Sequence, residues 1–234
     1  MSARRRRFDH GVSIDPAQPP RRPPRFIAVE GPIGVGKTTL TRRLAETFGY
    51  EMLLEGAADN PFLERFYSEG RRNALPTQLF FLLQRAEQLR DWRQQDLFGP
   101  ARIADFLIDK DRLFAEVTLD EHELDLYDQV HRQLTIEAPA PDLVIYLQAP
   151  PRVLQARIRQ RAIGAERHID DAYLESLVDA YARFFHFYDQ APLLIVNASE
   201  IDLVHDHEQY ERLIEVVSDF RSMRSYFNPQ PTLL

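Results

Sequence analysis

One short stretch near the N-terminus constrains this chain more than any other. Phe26-Ile-Ala-Val-Glu30 reads as a buried strand, and it runs directly into Gly31-Pro32-Ile33-Gly34-Val35-Gly36-Lys37-Thr38-Thr39. From Thr38 to Phe48 the apolar residues recur at helical spacing. A G-x-x-x-x-G-K-T segment between a strand and a helix predicts a phosphate-binding loop. Its glycines let the backbone curl so that N–H groups point at phosphate oxygens, and the helix N-terminus adds a favourable field. In such a loop Lys37 is a point charge for the β- and γ-phosphates of ATP, and Thr38 offers its hydroxyl to magnesium. Residues 31–39 are therefore the predicted ATP site.

A phosphate loop implies nucleotide binding, not a reaction. A guanine-reading switch should carry Asn-Lys-x-Asp, and none of the four asparagines is followed by lysine. At 234 residues the chain is too short for a motor with partner-recognition domains, yet long enough for one domain with a sizeable core. A net charge of −7 argues against nucleic acid as a partner. No apolar run approaches the roughly 20 residues of a spanning helix, and none follows the basic N-terminus as a secretory signal would. The absence of cysteine rules out disulfides, a thiolate nucleophile and Cys-type zinc sites. Together these features predict a cytoplasmic protein with neither membrane nor nucleic acid as partner.

Residues 1–25 are arginine- and proline-rich with little that could form a core, and read as a disordered tail, as does 228–234. Between them, over 26–227, short apolar runs alternate with helical patterns. Strands are expected at Phe26–Glu30, Glu51–Leu54, Arg102–Asp105, Asp142–Leu147 and Leu193–Val196, the last closing the set. Helices are expected from Asn60-Pro61, over Thr77–Trp92, as one long element over Arg112–Leu134, and near 151–161, 170–188 and 208–224. This alternation predicts an α/β P-loop nucleoside-triphosphate-binding fold, with a parallel sheet of about five strands covered by helices on both faces.

Several separated segments resemble the deoxynucleoside kinase family, in particular its bacterial deoxyadenosine and deoxyguanosine kinases. They are Glu30 with the phosphate loop, Leu54-Glu55, Asn60-Pro-Phe-Leu-Glu-Arg-Phe-Tyr67 and Gln78-Leu-Phe-Phe-Leu-Leu-Gln-Arg85. Further on come Lys110-Asp-Arg-Leu-Phe-Ala115, Pro141-Asp-Leu-Val-Ile-Tyr-Leu147 and Arg157-Ile-Arg-Gln-Arg161. The resemblance implies ATP- and magnesium-dependent phosphorylation of the 5′-hydroxyl of a deoxynucleoside, a purine one by branch, in nucleotide salvage by a homodimer. It implies that Glu55 is the base for that hydroxyl. Gln78 and Arg85 would read the nucleobase, and Tyr67 with Glu166 would hold the sugar 3′-hydroxyl. Arg157 and Arg161 would be lid arginines on the transferring phosphate, acting with Lys37. Asp105, with Thr38, would serve the magnesium. Phe62, Phe66, Phe81 and Phe114 are candidate walls for the base.

The chain departs from the family pattern in three places. Gly56-Ala57 follow Glu55 where Pro-Val is usual, which implies a looser loop. Ile163 stands at a usual lid arginine position. Phe106 follows Asp105 where an arginine is common, and Lys110 is the nearest candidate to compensate. Two other readings share the phosphate loop. A thymidylate-type nucleoside monophosphate kinase would need extra positive charge at the acceptor, whereas Glu51, Glu55 and Asp59 supply acids. A non-catalytic nucleotide-binding module would need neither Glu55 nor the lid arginines.

Overall fold

A computed structural model describes residues 23–94, 99–134, 139–199, 201 and 206–228. Most of the two expected tails lies outside these residues. Among the described residues the strands form one parallel sheet: β1 (Phe26–Glu30), β2 (Glu51–Leu53), β3 (Arg102–Ala104), β4 (Leu143–Gln148), β5 (Leu193–Asn197) and β6 (Arg224–Phe227). Their order is β2-β3-β1-β4-β5-β6, with every adjacent pair parallel. The sheet therefore has six strands rather than about five, and Leu193–Asn197 does not close the set. The extra strand reads Arg-Ser-Tyr-Phe at the sheet edge. Half-exposed, it carries no apolar run to announce it. The helix expected near 208–224 accordingly stops at Ser218.

The helices are α1 (Lys37–Phe48), α2 (Leu63–Glu69), α3 (Ala74–Gln94), α4 (Asp111–Thr118), α5 (Glu121–Gln133), α6 (Pro151–Arg161), α7 (Asp171–Phe187) and α8 (His207–Ser218). The single helix expected over 112–134 is two. Leu119 is extended, and Asp120 starts α5 with a capping box: its side chain accepts from Glu123 N while the Glu123 side chain accepts from Asp120 N. The helix expected to open at Asn60 begins later, because the Asn60 side chain accepts from Phe62 N in a turn (3.0 Å) and donates to Thr77 O of α3 (3.2 Å).

Side chains along a strand alternate between faces, and β1 uses that alternation to build two cores. Ile27 and Val29 pack with Leu40, Leu44, Leu154 and Leu213 on the α1, α6 and α8 side. Ala28 packs with Leu177, Tyr181 and Phe185 on the α7 side. By the same parity Glu30 points to the α7 side. A third cluster, around Phe66, Leu82 and Tyr127, joins α2 to α5 beyond the sheet. The chain leaves β1 towards β2 on one side, whereas β4 leads to β5 on the other. A crevice opens at this reversal, beyond the carboxyl ends of the strands, where α/β folds place their ligands.

Candidate active site

The loop after β1 has a left-handed backbone at Gly31 (φ 146°), Gly34 (φ 81°) and Gly36 (φ 108°). A side chain at Gly31 would collide with the carbonyl oxygen of Leu147 at the end of β4, and one at Gly34 would come within 2.7 Å of Ile158 Cγ1 on α6. Only glycine meets both the conformation and the clearance there. Lys37 Nζ donates to Gly31 O (2.8 Å) and Pro32 O (3.4 Å). Burial, then the nearby charge of Lys110, lowers the Lys37 pKa to about 8.

The carboxyl ends of β1, β2 and β3 bring three acids together. Asp105 accepts from the Thr38 hydroxyl (2.6 Å) with one oxygen and from the backbone N–H of Glu55 (2.7 Å) with the other. Glu55 is paired with Arg85 of α3, and Lys110 Nζ lies 3.7 Å from its other oxygen. Arg85 also pairs with Asp111 at the start of α4. Burial brings Arg85 down to about 10, opposed by the charge of Glu30, so it remains a cation at neutral pH. Its Nε is buried without a hydrogen-bond partner among the described residues.

Glu30 is completely buried and fully satisfied. It accepts from Gly31 N (3.0 Å), Leu107 N (2.6 Å) and the Tyr181 hydroxyl (2.9 Å), and pairs with Lys110 Nζ at 3.1 Å. Lys110, equally buried, is pushed down by desolvation while Glu30 holds it up.

The loop holding Glu55 is not loose, contrary to what Gly56-Ala57 implied. Gln88 donates to Leu54 O (3.2 Å) and Gln84 to Gly56 O (3.4 Å). A side chain at Gly56 would meet Gln84 and Asp59, each at 2.6 Å. Glycine here permits close packing against α3.

One cleft gathers nearly all of the predicted residues. Lys37, Thr38, Thr39, Glu55, Tyr67, Gln78, Arg85, Asp105, Arg161 and Glu166 line it, with Ile33, Gly34 and Gly36 of the loop. Phe81, Phe114 and Lys110 line it too. Two larger hollows, of 410 and 330 Å³, contain no phosphate-loop residue. Arg161 ends α6, and a left-handed turn at Ala162 (φ 53°) brings Glu166 back to pair with it. Burial, then Tyr173, pushes the Tyr67 phenol well above its ordinary value, so it stays a protonated hydroxyl. Arg157 faces elsewhere, donating to Val35 O (3.3 Å) and Ala198 O (2.7 Å). Phe66 is core rather than cleft wall, and Phe62 does not line the cleft.

Sequence reasoning gave no role to Glu30, Asp111 or Tyr181. Glu30 had two legible signals: it stands in a segment that carries the family resemblance, and its β1 parity turns it towards a buried face. Asp111 lies in another such segment with no role attached, Tyr181 reads as an ordinary helix residue, and the contacts that single them out span the fold.

The oxygen donors Thr38 and Asp105 suit a magnesium ion, which takes few protein carboxylates and completes its shell with water and phosphate.

Comparisons with known proteins bear on the family. A family model described as deoxynucleoside kinase matches residues 27–222. A deoxyguanosine kinase of Bacillus subtilis (strain 168) is 36% identical over 83% of this chain and 96% of its own length. A deoxyadenosine/deoxycytidine kinase of the same organism is 29% identical over 82% and 91%. Among solved structures, a deoxyadenosine kinase from M. mycoides with bound dATP superposes with a TM-score of 0.70 at 26% identity, covering 81% of this chain and 98% of that one. With the family's pattern matched from β1 past α8, this chain belongs to the deoxynucleoside kinase family.

Proposed function

We propose that this kinase phosphorylates the 5′-hydroxyl of a purine deoxynucleoside, with Glu55 as the base and the cleft residues in the roles their chemistry suits. The observation that carries the reading is a single cleft lined both by Lys37 and Thr38 and by Glu55, Gln78 and Arg85. The phosphate loop and Lys37 hold ATP. The 5′-hydroxyl approaches between Glu55 and the γ-phosphate. Glu55 takes its proton as the oxygen attacks in line, and Arg161 stabilises charge on the transferring group. Arg157, bonded to the loop carbonyl of Val35, supports the loop from the side of α6. Tyr67 donates to, and Glu166 accepts from, the sugar 3′-hydroxyl. Thr38 and Asp105 would hold magnesium, which neutralises phosphate charge when bound.

The purine preference is supported by Arg85 and Gln78. A guanidinium fork matches the O6 and N7 acceptors of guanine, and an amide matches a purine edge. The similarity to a deoxyguanosine kinase points the same way. The acids around Glu55 favour an uncharged acceptor over a monophosphate. The protein acts in cytoplasmic nucleotide salvage as a homodimer. Leu83 of α3 and Leu126 of α5, each about half exposed, belong to the surface that pairs.

A panel of the four deoxynucleosides and their monophosphates, assayed with ATP and magnesium, tests the assignment. Deoxyguanosine or deoxyadenosine should give kcat/KM at least tenfold above either pyrimidine, and monophosphates should be inert. A pyrimidine preference would overturn the base reading, and turnover of monophosphates would overturn the acceptor class.

A further inference from the structure

Lys110 is a buried cation with two carboxylates in reach, and the two differ in kind. Glu30 is a closed site: fully buried, it is saturated by two backbone N–H groups, the Tyr181 hydroxyl and Lys110 itself. Glu55 is open to the cleft, with Arg85 on one oxygen and Lys110 at 3.7 Å from the other. Lys110 sits over the Phe114 ring, 5.6 Å from its centroid, which limits where the ammonium can move. A buried ammonium needs a fixed counter-charge, and Glu30 supplies one that no cleft ligand can displace. The second face of the ammonium is thereby left for Glu55. The strand-end position beside Asp105, where an arginine could have served, holds Phe106, itself buried.

We propose that Lys110, anchored by Glu30, is a positioning residue for Glu55. Arg85 grips one carboxylate oxygen and Lys110 fixes the other, so the carboxylate keeps one orientation towards the acceptor oxygen. The inference rests on the reading of Glu55 as the base. It assigns the task of holding that base to a cation four residues further along the chain than Phe106.

Removing Lys110 alone would strand the Glu30 charge in the core, so the test uses the neutral pair Glu30→Gln/Lys110→Met. The wild type is the reference for it. The pair is made in the wild-type and in the Glu55→Gln background, and kcat and both KM values are measured on folded protein. The neutral pair should lower kcat at least tenfold relative to wild type, with both KM values within threefold. In the Glu55→Gln background the same change should cost less than threefold, because a residue acting through Glu55 has nothing left to act on. A merely structural pair would give the same loss in both backgrounds, and that result overturns the proposal. So does a neutral pair within threefold of wild type. If Glu55→Gln itself keeps near-wild-type kcat, the base assignment fails and this inference falls with it. A depressed Glu55→Gln with additive losses overturns this inference alone.

Discussion

Glu55 is held at five points: by Asp105 through its backbone N–H, by Arg85 and Lys110 through its carboxylate, and by Gln84 and Gln88 through the flanking carbonyls. Glu55→Gln keeps the size of the side chain and can still accept from Arg85, but cannot take a proton at neutral pH. Its kcat should fall by about two to four orders of magnitude, the usual range for losing a general base, with KM for ATP little changed. Folded variant enzyme within a few-fold of wild type would move the search for the base to Asp105. Lys37→Ala should lower kcat by roughly 100-fold or more, since it removes a charge aimed at the phosphates. The Lys37 value near 8 also has a pH signature. It lies below the ordinary 10.5, so between these values the unfolded chain binds more protons than the native one, and stability gains from rising pH. Activity runs the other way. The kcat/KM for ATP should fall above pH of about 8 as the free enzyme loses the ammonium, and Lys37→Arg should abolish that limb. A limb unchanged in Lys37→Arg would belong to another group.

At the level of elements, the phosphate loop and the α4–α5 break give contrasting tests. Gly34→Ala forces a left-handed alanine against Ile158 of α6. It should raise KM for ATP at least tenfold and lower the melting temperature together. Asp120→Ala removes an exposed cap far from the cleft. It should cost about 1 kcal/mol, or roughly 2–4 °C in melting temperature for a chain of this size, with kcat unchanged. A scanning calorimetry run beside the activity assay separates the two. The capping box was legible, since Asp120-Glu-His-Glu123 is its pattern, yet the uninterrupted apolar periodicity of 112–134 obscured it. β1, β4 and β5 were legible because both their faces are buried and the sequence runs apolar without a break. β6 was not, because an edge strand needs no such run. The cleft was legible where chemistry is local, as in residues 31–39, or carried by family motifs, as at Glu55, Gln78 and Arg85. It was not legible where a role arises only from contact, as for Tyr181 with Glu30 or Asp111 with Arg85.

At the scale of the molecule, the first described residues already belong to the body of the fold. Tyr50 donates its hydroxyl to Pro24 O (2.5 Å), and Asp142 accepts from the backbone of Arg25 (2.8 Å) and Phe26 (2.9 Å). Deleting residues 1–22 should leave kcat/KM within about twofold, whereas deleting through Arg25 should also lower the melting temperature. Sedimentation should give a dimer for the wild type and a monomer for Leu83→Glu/Leu126→Glu, and a monomeric wild type would refute the proposed interface. The seat of the phosphate loop also bears on protein engineering. Gly31 lies flush against the last carbonyls of β4, and Gly34 against the flank of α6, so the curvature of the loop is moulded by two elements more than a hundred residues away in the chain. The motif is therefore not a portable cassette. A graft of residues 26–39 into a foreign scaffold would inherit the glycines without the surfaces that shape them. A working transplant would have to carry β4 and the first turns of α6 along with it.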